Sequence, residues 1–306
     1  MAWGATGWPW TGCGENPMRE SFLRLALPNK GRLRDPALRL LREAGLSFEQ
    51  TDRALSVSVR NAAIELLFVR TEDVVELVTD GVADLGISGL DLIEESGTKC
   101  NRVRVLLRLG FGRCELTVAV PADAARDRPE DFCGLRIATS HPNLTEQFFA
   151  RHGVTVDIVR LRGSVEVAPK LGVADAVADL VSTGSTMLVN GLRPVLPVLS
   201  SEAVLVGRSS DLSNRMEFET VTTAIESVLA GRRRRYLLLN APEETLQDIT
   251  ELIPGLEAPT VVPLAEDGMV AIHSVVERDE VWNLLPRLRA AGGRDILVLP
   301  IGQLVP

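Results

Sequence analysis

Histidine and cysteine are scarce in this chain of 306 residues. The three histidines (His141, His152, His273) and four cysteines (Cys13, Cys100, Cys114, Cys133) form no CxxC pair and no zinc-ligand spacing. So few thiols in so long a chain exclude a disulfide framework and point to a reducing compartment. No apolar run approaches the roughly 18 residues of a bilayer-spanning helix. Positive charge is the minority, 33 Lys plus Arg against 41 Asp plus Glu for a formal -8. That excludes a general nucleic-acid binder and confines any polyanion site to a local basic pocket. The first twenty residues, MAWGATGWPWTGCGENPMRE, lack the basic and apolar regions of a signal peptide. They read as a flexible extension, with Met18 as an alternative start, and the chain is expected to be cytoplasmic. What is present, 45% hydrophobic and 24% charged residues, is ordinary globular composition with length for about two domains.

Three segments follow. In the first, Leu23, Leu25 and Leu27 sit at period two and run into the turn Pro28-Asn29-Lys30-Gly31. A helix is expected next, with Asp35 as N-cap, Pro36 at its first position, and Ala37, Leu38, Leu41 and Ala44 on one face. The unit recurs as strand Glu65 to Val69, a helix capped by Thr71, and a short strand Ala83 to Gly89. This alternation predicts a mainly parallel sheet with its ligand site beyond the C-terminal strand ends. The second segment, from about Arg113, offers strands at Leu135 to Thr139, Val154 to Leu161, Pro194 to Leu199 and Ala203 to Val206. It also offers a helix after Asn143 and another around Arg215 to Leu229, followed by Arg232-Arg233-Arg234-Arg235, which reads as a solvated helix end. The third segment, from Tyr236, has the ferredoxin-like order β-α-β-β-α-β.

The densest polar pattern is Asp179-Leu180-Val181-Ser182-Thr183-Gly184-Ser185-Thr186. Hydroxyls and successive N–H groups at a helix start can cradle a phosphate, and Gly184 permits close approach. The same string also suits an ordinary Ser/Thr helix cap. Glu166, Asp175 and Asp179 either accept hydrogen bonds from sugar hydroxyls or belong to a solvated face. Lys30 and Arg32 follow the first strand and Arg70 the second, so all three should open on one sheet edge, where converging cations suit a pyrophosphate or triphosphate. Together they suggest a cleft between two α/β lobes for a phosphorylated sugar. Of the histidines, His141 at a loop entrance is the one placed to reach it, whereas His152 ends a helix and His273 reads as strand packing.

The stretch Glu166 to Leu192, EVAPKLGVADAVADLVSTGSTMLVNGL, is joined by LALPNKGRL (Leu25 to Leu33), ELLFVR (Glu65 to Arg70), DGVADLGISGLDL (Asp80 to Leu92) and GLRIATSHPNL (Gly134 to Leu144). PGLEAPTVVPL (Pro254 to Leu264) and DILVLPI (Asp295 to Ile301) extend the pattern. On these stretches the chain from Phe22 onward resembles the long-form ATP phosphoribosyltransferases of histidine biosynthesis. The resemblance implies an α/β fold: a two-lobed, periplasmic-binding-protein-like catalytic body and a C-terminal ferredoxin-like regulatory domain. The implied bounds are an extension at 1–20, one lobe at 21–112 completed by about 204–233, a second at 113–203, and the regulatory domain at 234–306. It implies condensation of ATP with 5-phosphoribosyl 1-diphosphate to N1-(5-phosphoribosyl)-ATP and diphosphate, with Mg2+, inhibition by histidine, and a homo-oligomer (dimer or hexamer). No nucleic acid or membrane partner is expected.

By position, the resemblance makes Lys30, Arg70, Glu166 and Asp179 catalytic residues. Substrate binding falls to Arg32, Asp179, Ser182, Thr183, Gly184, Ser185 and Thr186, and histidine binding to Asn240, Leu256, Ala258, Thr260 and Asp295. Two positions depart from the pattern: His141 stands where the family often has Tyr, and Ala258 where a hydroxyl residue is common. The implied chemistry needs little acid–base work, because diphosphate leaves readily once cations screen it. The alternative is a non-catalytic small-molecule-binding or regulatory homologue of the same fold.

Overall fold

The computed structural model describes residues 22–49, 54–97, 102–182, 185–208, 216–253 and 258–305. The extension expected at 1–20, and positions Thr183, Gly184 and Leu256, lie outside them.

The first sheet grows from β1 (Leu23–Pro28), whose three leucines are buried, and α1 (Arg34–Glu43), which packs Ala37, Leu38, Leu40 and Leu41 against it. The helix starts ahead of the expected Asp35 cap, with Leu33 in the cap position. Asp35 thereby falls in the first turn, where its charge meets the positive helix end, and Pro36 sits where no helical donor is required. Next come β2 (Ser56–Ser58), β3 (Ile64–Val69), α2 (Thr71–Thr79), β4 (Leu85–Gly89), α3 (Leu90–Ser96) and β5 (Val103–Arg108). Arg70, rather than Thr71, is the cap of α2.

The second sheet contains β6 (Cys114–Pro121), β7 (Arg136–Thr139), β8 (Asp157–Arg160), β9 (Ala176–Val181) and β10 (Leu192–Ser201), with α4 (Pro142–Arg151) and α5 (Ser185–Val189) between strands. The chain then returns to the first sheet as β11 (Ala203–Arg208), giving the order β2-β3-β1-β4-β11-β5. The second sheet runs β10-β6-β9-β7-β8.

The first sheet is parallel only at its centre, β1 with β3 and β4, and the second only along one side, β7 with β8 and β9. The expectation of a mainly parallel sheet is corrected here, since β2, β5, β11, β6 and β10 all pair antiparallel. Strands that cross between lobes arrive without a helical crossover, so the β-α alternation that signals parallel pairing does not announce them. Residues 109–113 carry the chain from β5 to β6, and 202 carries it back from β10 to β11.

A long helix α6 (Met216–Arg233) covers the first sheet beside α1, burying Phe218, Val221, Ile225 and Val228 in the same core. It passes directly into β12 (Arg234–Pro242), so only Arg232 and Arg233 of the arginine run end a helix. Arg234 instead pairs in register with Glu277, which also accepts from its side chain at 3.2 Å. Then follow α7 (Leu246–Leu252), β13 (Thr260–Pro263), β14 (Met269–Glu277), α8 (Val281–Ala290) and β15 (Arg294–Pro300). Their sheet, β13-β14-β12-β15, is antiparallel throughout. One face packs Leu237, Leu239 and Ile272 beneath Ile249, Leu284 and Leu288 of the helices. The register puts Leu238, His273 and Leu297 on the other face, where Leu297 and Leu299 are 51% and 46% exposed. Among the described residues no helix is long and apolar enough to cross a membrane.

Candidate functional site

The two lobes meet at Asp91, in the first turn of α3, which is 1% exposed. Gly89 makes this possible: a Cβ there would fall on Asp91 Oδ1, so only glycine leaves room for the carboxylate to fold back. His141, the cap of α4 on the second lobe, faces Asp91 Oδ2 through Nε2 at 3.2 Å. The Ser201 hydroxyl, at the end of β10, donates to Oδ1, and its Oγ accepts the Asp91 backbone N–H at 3.0 Å. Arg32, after β1, brings its guanidinium to 3.7 Å from Oδ1. His141 Nδ1 lies 3.0 Å from the Ser140 hydroxyl, so both ring nitrogens have a partner.

Burial alone would push Asp91 up. The hydrogen bonds from His141 and Ser201, together with the charges of His141 and Arg32, outweigh it and hold the carboxyl below its ordinary value. A second tie lies alongside. Glu95 of α3 accepts the N–H groups of Asn143 and Leu144 at 2.9 Å each, satisfying donors that the first turn of α4 leaves free.

Above this floor is a cavity of about 240 Å³ whose wall includes Lys30, Arg32, Asp91, His141, Arg162 and Asp179. Neither Lys30 nor Arg162 has an ion-pair partner among the described residues. Asp179 projects from β9, half-buried, and accepts the Leu180 N–H at 2.8 Å. Burial pushes its carboxyl up, the Glu166 carboxylate adds to that, and the Leu180 bond and His141 oppose it. Ser164, which precedes Glu166 and lines the cavity, holds a left-handed φ of 51°. For a residue with a Cβ that conformation costs about 1–2 kcal/mol.

The expected site residues are therefore partly gathered. Lys30, Arg32 and Asp179 share one wall, while Arg70 is exposed outside it, with its neighbours Thr71 and Glu72 inside. Glu166 is felt by Asp179 without lining the cavity. Ser182 lines a second cavity, of about 510 Å³, with Arg108, Arg113 and Ser201. Ser185 and Thr186 open α5. Asp175 is engaged elsewhere: Arg136 donates its backbone N–H at 2.9 Å and a guanidinium N–H at 3.3 Å, and these bonds hold the carboxyl low. In the C-terminal sheet Asn240 Nδ2 donates to Asp295 Oδ2 at 3.2 Å. Thr260 is exposed on edge strand β13 opposite His273, and Ala258 is exposed ahead of it. His273 Nδ1 takes part in a 2.6 Å bond with the Tyr236 hydroxyl.

Sequence reasoning did not single out Asp91, Ser201, Arg162 or Arg113, which line the two cavities. A signal for Asp91 existed: an acid in the first turn of a helix, directly beyond the C-terminal end of a strand that neighbours the one leading to Lys30. Ser201 and the two arginines carried none, because their importance arises from which loops the lobes bring together. Among the described residues no group of three or more His, Cys, Asp or Glu could hold a metal ion.

Residues 70–227 match the family model described as ATP phosphoribosyltransferase, and residues 231–303 match the one described as HisG, C-terminal domain. The ATP phosphoribosyltransferase of Methanosarcina barkeri is 40% identical over 292 residues, covering 93% of this chain and 100% of that protein. That of Gemmatimonas aurantiaca is 44% identical over 296 residues with the same coverage. The solved ATP phosphoribosyl transferase (HisG:HisZ) complex from Thermotoga maritima superposes with a TM-score of 0.57 at 28% identity, covering 67% of this chain and 99% of that one.

Proposed function

The chain belongs to the ATP phosphoribosyltransferase family, whose members are glycosyl-transferring enzymes, and on that premise we propose that it joins ATP to 5-phosphoribosyl 1-diphosphate. The products are N1-(5-phosphoribosyl)-ATP and diphosphate. The observation that carries this reading is the inter-lobe cavity in which Lys30 and Arg162, without an ion-pair partner among the described residues, line one wall with Arg32 and the half-buried Asp179. Cations there match two polyanionic substrates, and a carboxylate there accepts from ribose hydroxyls. The lobes are residues 21–112 with 204–233, and 113–203; the regulatory domain is 234–306.

In the reaction the C1–O bond to diphosphate breaks, the ribose carries oxocarbenium-like charge, and adenine N1 forms the new bond. Lys30, Arg32 and Arg70 stabilise the departing diphosphate, and the rigid inter-lobe floor aligns the reactants. Asp179 and Glu166 hold the sugar hydroxyls. The same two carboxylates would suit Mg2+, which binds through one or two carboxylates plus substrate phosphates; burial first and the Glu166 charge second push Asp179 up, and a cation would offset both. The ion's contribution is to screen charge on the leaving group.

Histidine binding at the C-terminal domain, through Asn240, Thr260 and Asp295, inhibits the enzyme by favouring a less active state. The apolar open face of that sheet, with Leu297 and Leu299 exposed, supports its association with other copies in a dimer or hexamer. The test is a product assay with ATP and the sugar diphosphate, with and without millimolar histidine. The adduct and diphosphate should appear in equal amounts and fall when histidine is added. Binding of both substrates without turnover would favour the non-catalytic homologue instead.

A further inference from the structure

The start of α4, on the second lobe, is capped by the first lobe. A helix start leaves N–H groups without helical partners, and the side chain at the cap position ordinarily accepts one of them. His141 holds that position in α4 and makes no such bond. Its own N–H donates to Thr139 Oγ1 at 2.9 Å, and Pro142 has none to donate. The next two donors, the N–H groups of Asn143 and Leu144, go to the two oxygens of one carboxylate, that of Glu95 on α3. Asn143 Nδ2 also donates to the Glu95 carbonyl at 2.8 Å.

Glu95 follows Asp91 by one helical turn and shares its face of α3. Asp91 meets His141, and Glu95 meets the residues just beyond it. Two acids on one helix therefore hold the start of the other at successive points. A single contact would leave the lobes able to pivot about it; two fix an orientation. The same segments build the first cavity, Asp91 and Leu92 from α3, Ser140 and His141 from the approach to α4. Glu95 itself lines neither cavity.

We propose that Glu95 is a positioning residue, which sets the second lobe's wall against the first without touching substrate. The inference rests on the reaction proposed above and adds a residue to it. Reactants held between two walls stay aligned only while the walls keep their relation, and a misplacement of about 1 Å can cost on the order of a hundredfold in rate. Glu95 is half-buried and Asn143 exposed, so removing the carboxylate leaves its donors within reach of water and the fold survives.

The test uses the full chain and a matched control. Asp131, within the second lobe, likewise accepts two backbone N–H groups, those of Asp127 and Arg128 at 3.1 and 3.0 Å, but its bonds do not cross the cleft. Glu95→Ala and Asp131→Ala should lower Tm to a similar extent. In Glu95→Ala kcat should fall about tenfold with each KM within about threefold, because the binding groups remain while their alignment is lost. In Asp131→Ala kcat should stay within about twofold. Glu95→Gln, whose amide keeps one acceptor oxygen, should fall between parent and Glu95→Ala, and it carries the comparison if the alanine variant does not fold. Hydrogen exchange should show the Leu144 amide protected in the parent and exposed in Glu95→Ala. Unchanged kcat with a lowered Tm makes Glu95 an ordinary helix cap and overturns the proposal. Equal losses of kcat in Glu95→Ala and Asp131→Ala also overturn it, by showing general loosening. A Leu144 amide that exchanges at the free-chain rate in the parent overturns the clasp itself, whether or not product forms. If that amide is protected and the parent forms no product, the reaction fails, and the positioning role with it.

Discussion

Asp91 and Asp295 are aspartates of opposite circumstance. Asp91 is 1% exposed and is met by His141, Ser201 and Arg32, groups drawn from both lobes and from the connection between them. Asp295 is exposed, adopts a left-handed φ of 49°, and has one side-chain partner among the described residues, Asn240. The difference separates two uses of a carboxylate. A buried, fully paired charge fixes how large bodies sit against each other, because leaving any partner unmet is costly. An exposed one contributes little to the fold and stays open to a ligand.

Removing Asp91 should give the largest effect on stability. Asp91→Ala strands His141 and Arg32 beside a cavity, and about 3–5 kcal/mol should be lost in denaturant unfolding. The pH dependence fixes the sign. A folded-state value below the ordinary aspartate value of 3.8 means that the stabilisation is present above that value and is lost as pH falls through the folded one. The gap between parent and variant should therefore be wide near pH 7 and close below pH ~4. A gap that does not change with pH would show that Asp91 acts through packing alone.

Gly89→Ala is a milder version of the same break, because the added Cβ displaces Asp91 Oδ1 without deleting the charge. It should cost about 1–3 kcal/mol and should be nearly silent in an Asp91→Ala background. Additive losses in the double variant would separate the glycine from the carboxylate.

How much of this was legible in the sequence depends on the distance over which each feature is decided. The period-two leucines of β1, the apolar face of α1 and the C-terminal strand order are local patterns, and they fold as read. Lys30 and Arg32, read as strand-end residues, and Asp179, read as the carboxylate before the hydroxyl-rich loop, do line one cavity. The antiparallel return of β11 was not legible, since apolar runs carry no direction. Nor was the partnership of Asp91 with Ser201, 110 residues away. Asp175 and Asp179 look alike in sequence, yet Arg136 claims the first and none of the described cations claims the second.

Asp179 sharpens the comparison from the other side, as a half-buried carboxylate with no ion-pair partner among the described residues. Burial and Glu166 raise its folded value, so its contribution to stability is fully present below the unfolded value and is lost as pH rises through the folded one. Asp179→Asn should accordingly raise Tm at neutral pH while lowering turnover by about tenfold or more. Scanning calorimetry and the product assay read the two halves; a fall in both would make Asp179 an ordinary structural residue.

The smallest effect on stability belongs to Asp295→Gly, and that is its value. Glycine accepts the φ of 49° without a steric penalty, so the backbone turn survives while the carboxylate goes. The relief of left-handed strain, about 1 kcal/mol, is offset by the larger entropy that glycine loses on folding and by loss of the exposed bond from Asn240. Tm should therefore move by no more than about 2 °C. If the carboxylate receives the ammonium or imidazole of histidine, the charge-assisted bond disappears and affinity should fall about tenfold, read by calorimetry on the full chain. Histidine binding as tight as in the parent would move the effector off this end of the sheet. A large drop in Tm would mean instead that Asp295, like Asp91, is a tie within the fold, and the contrast between the two carboxylates would fail.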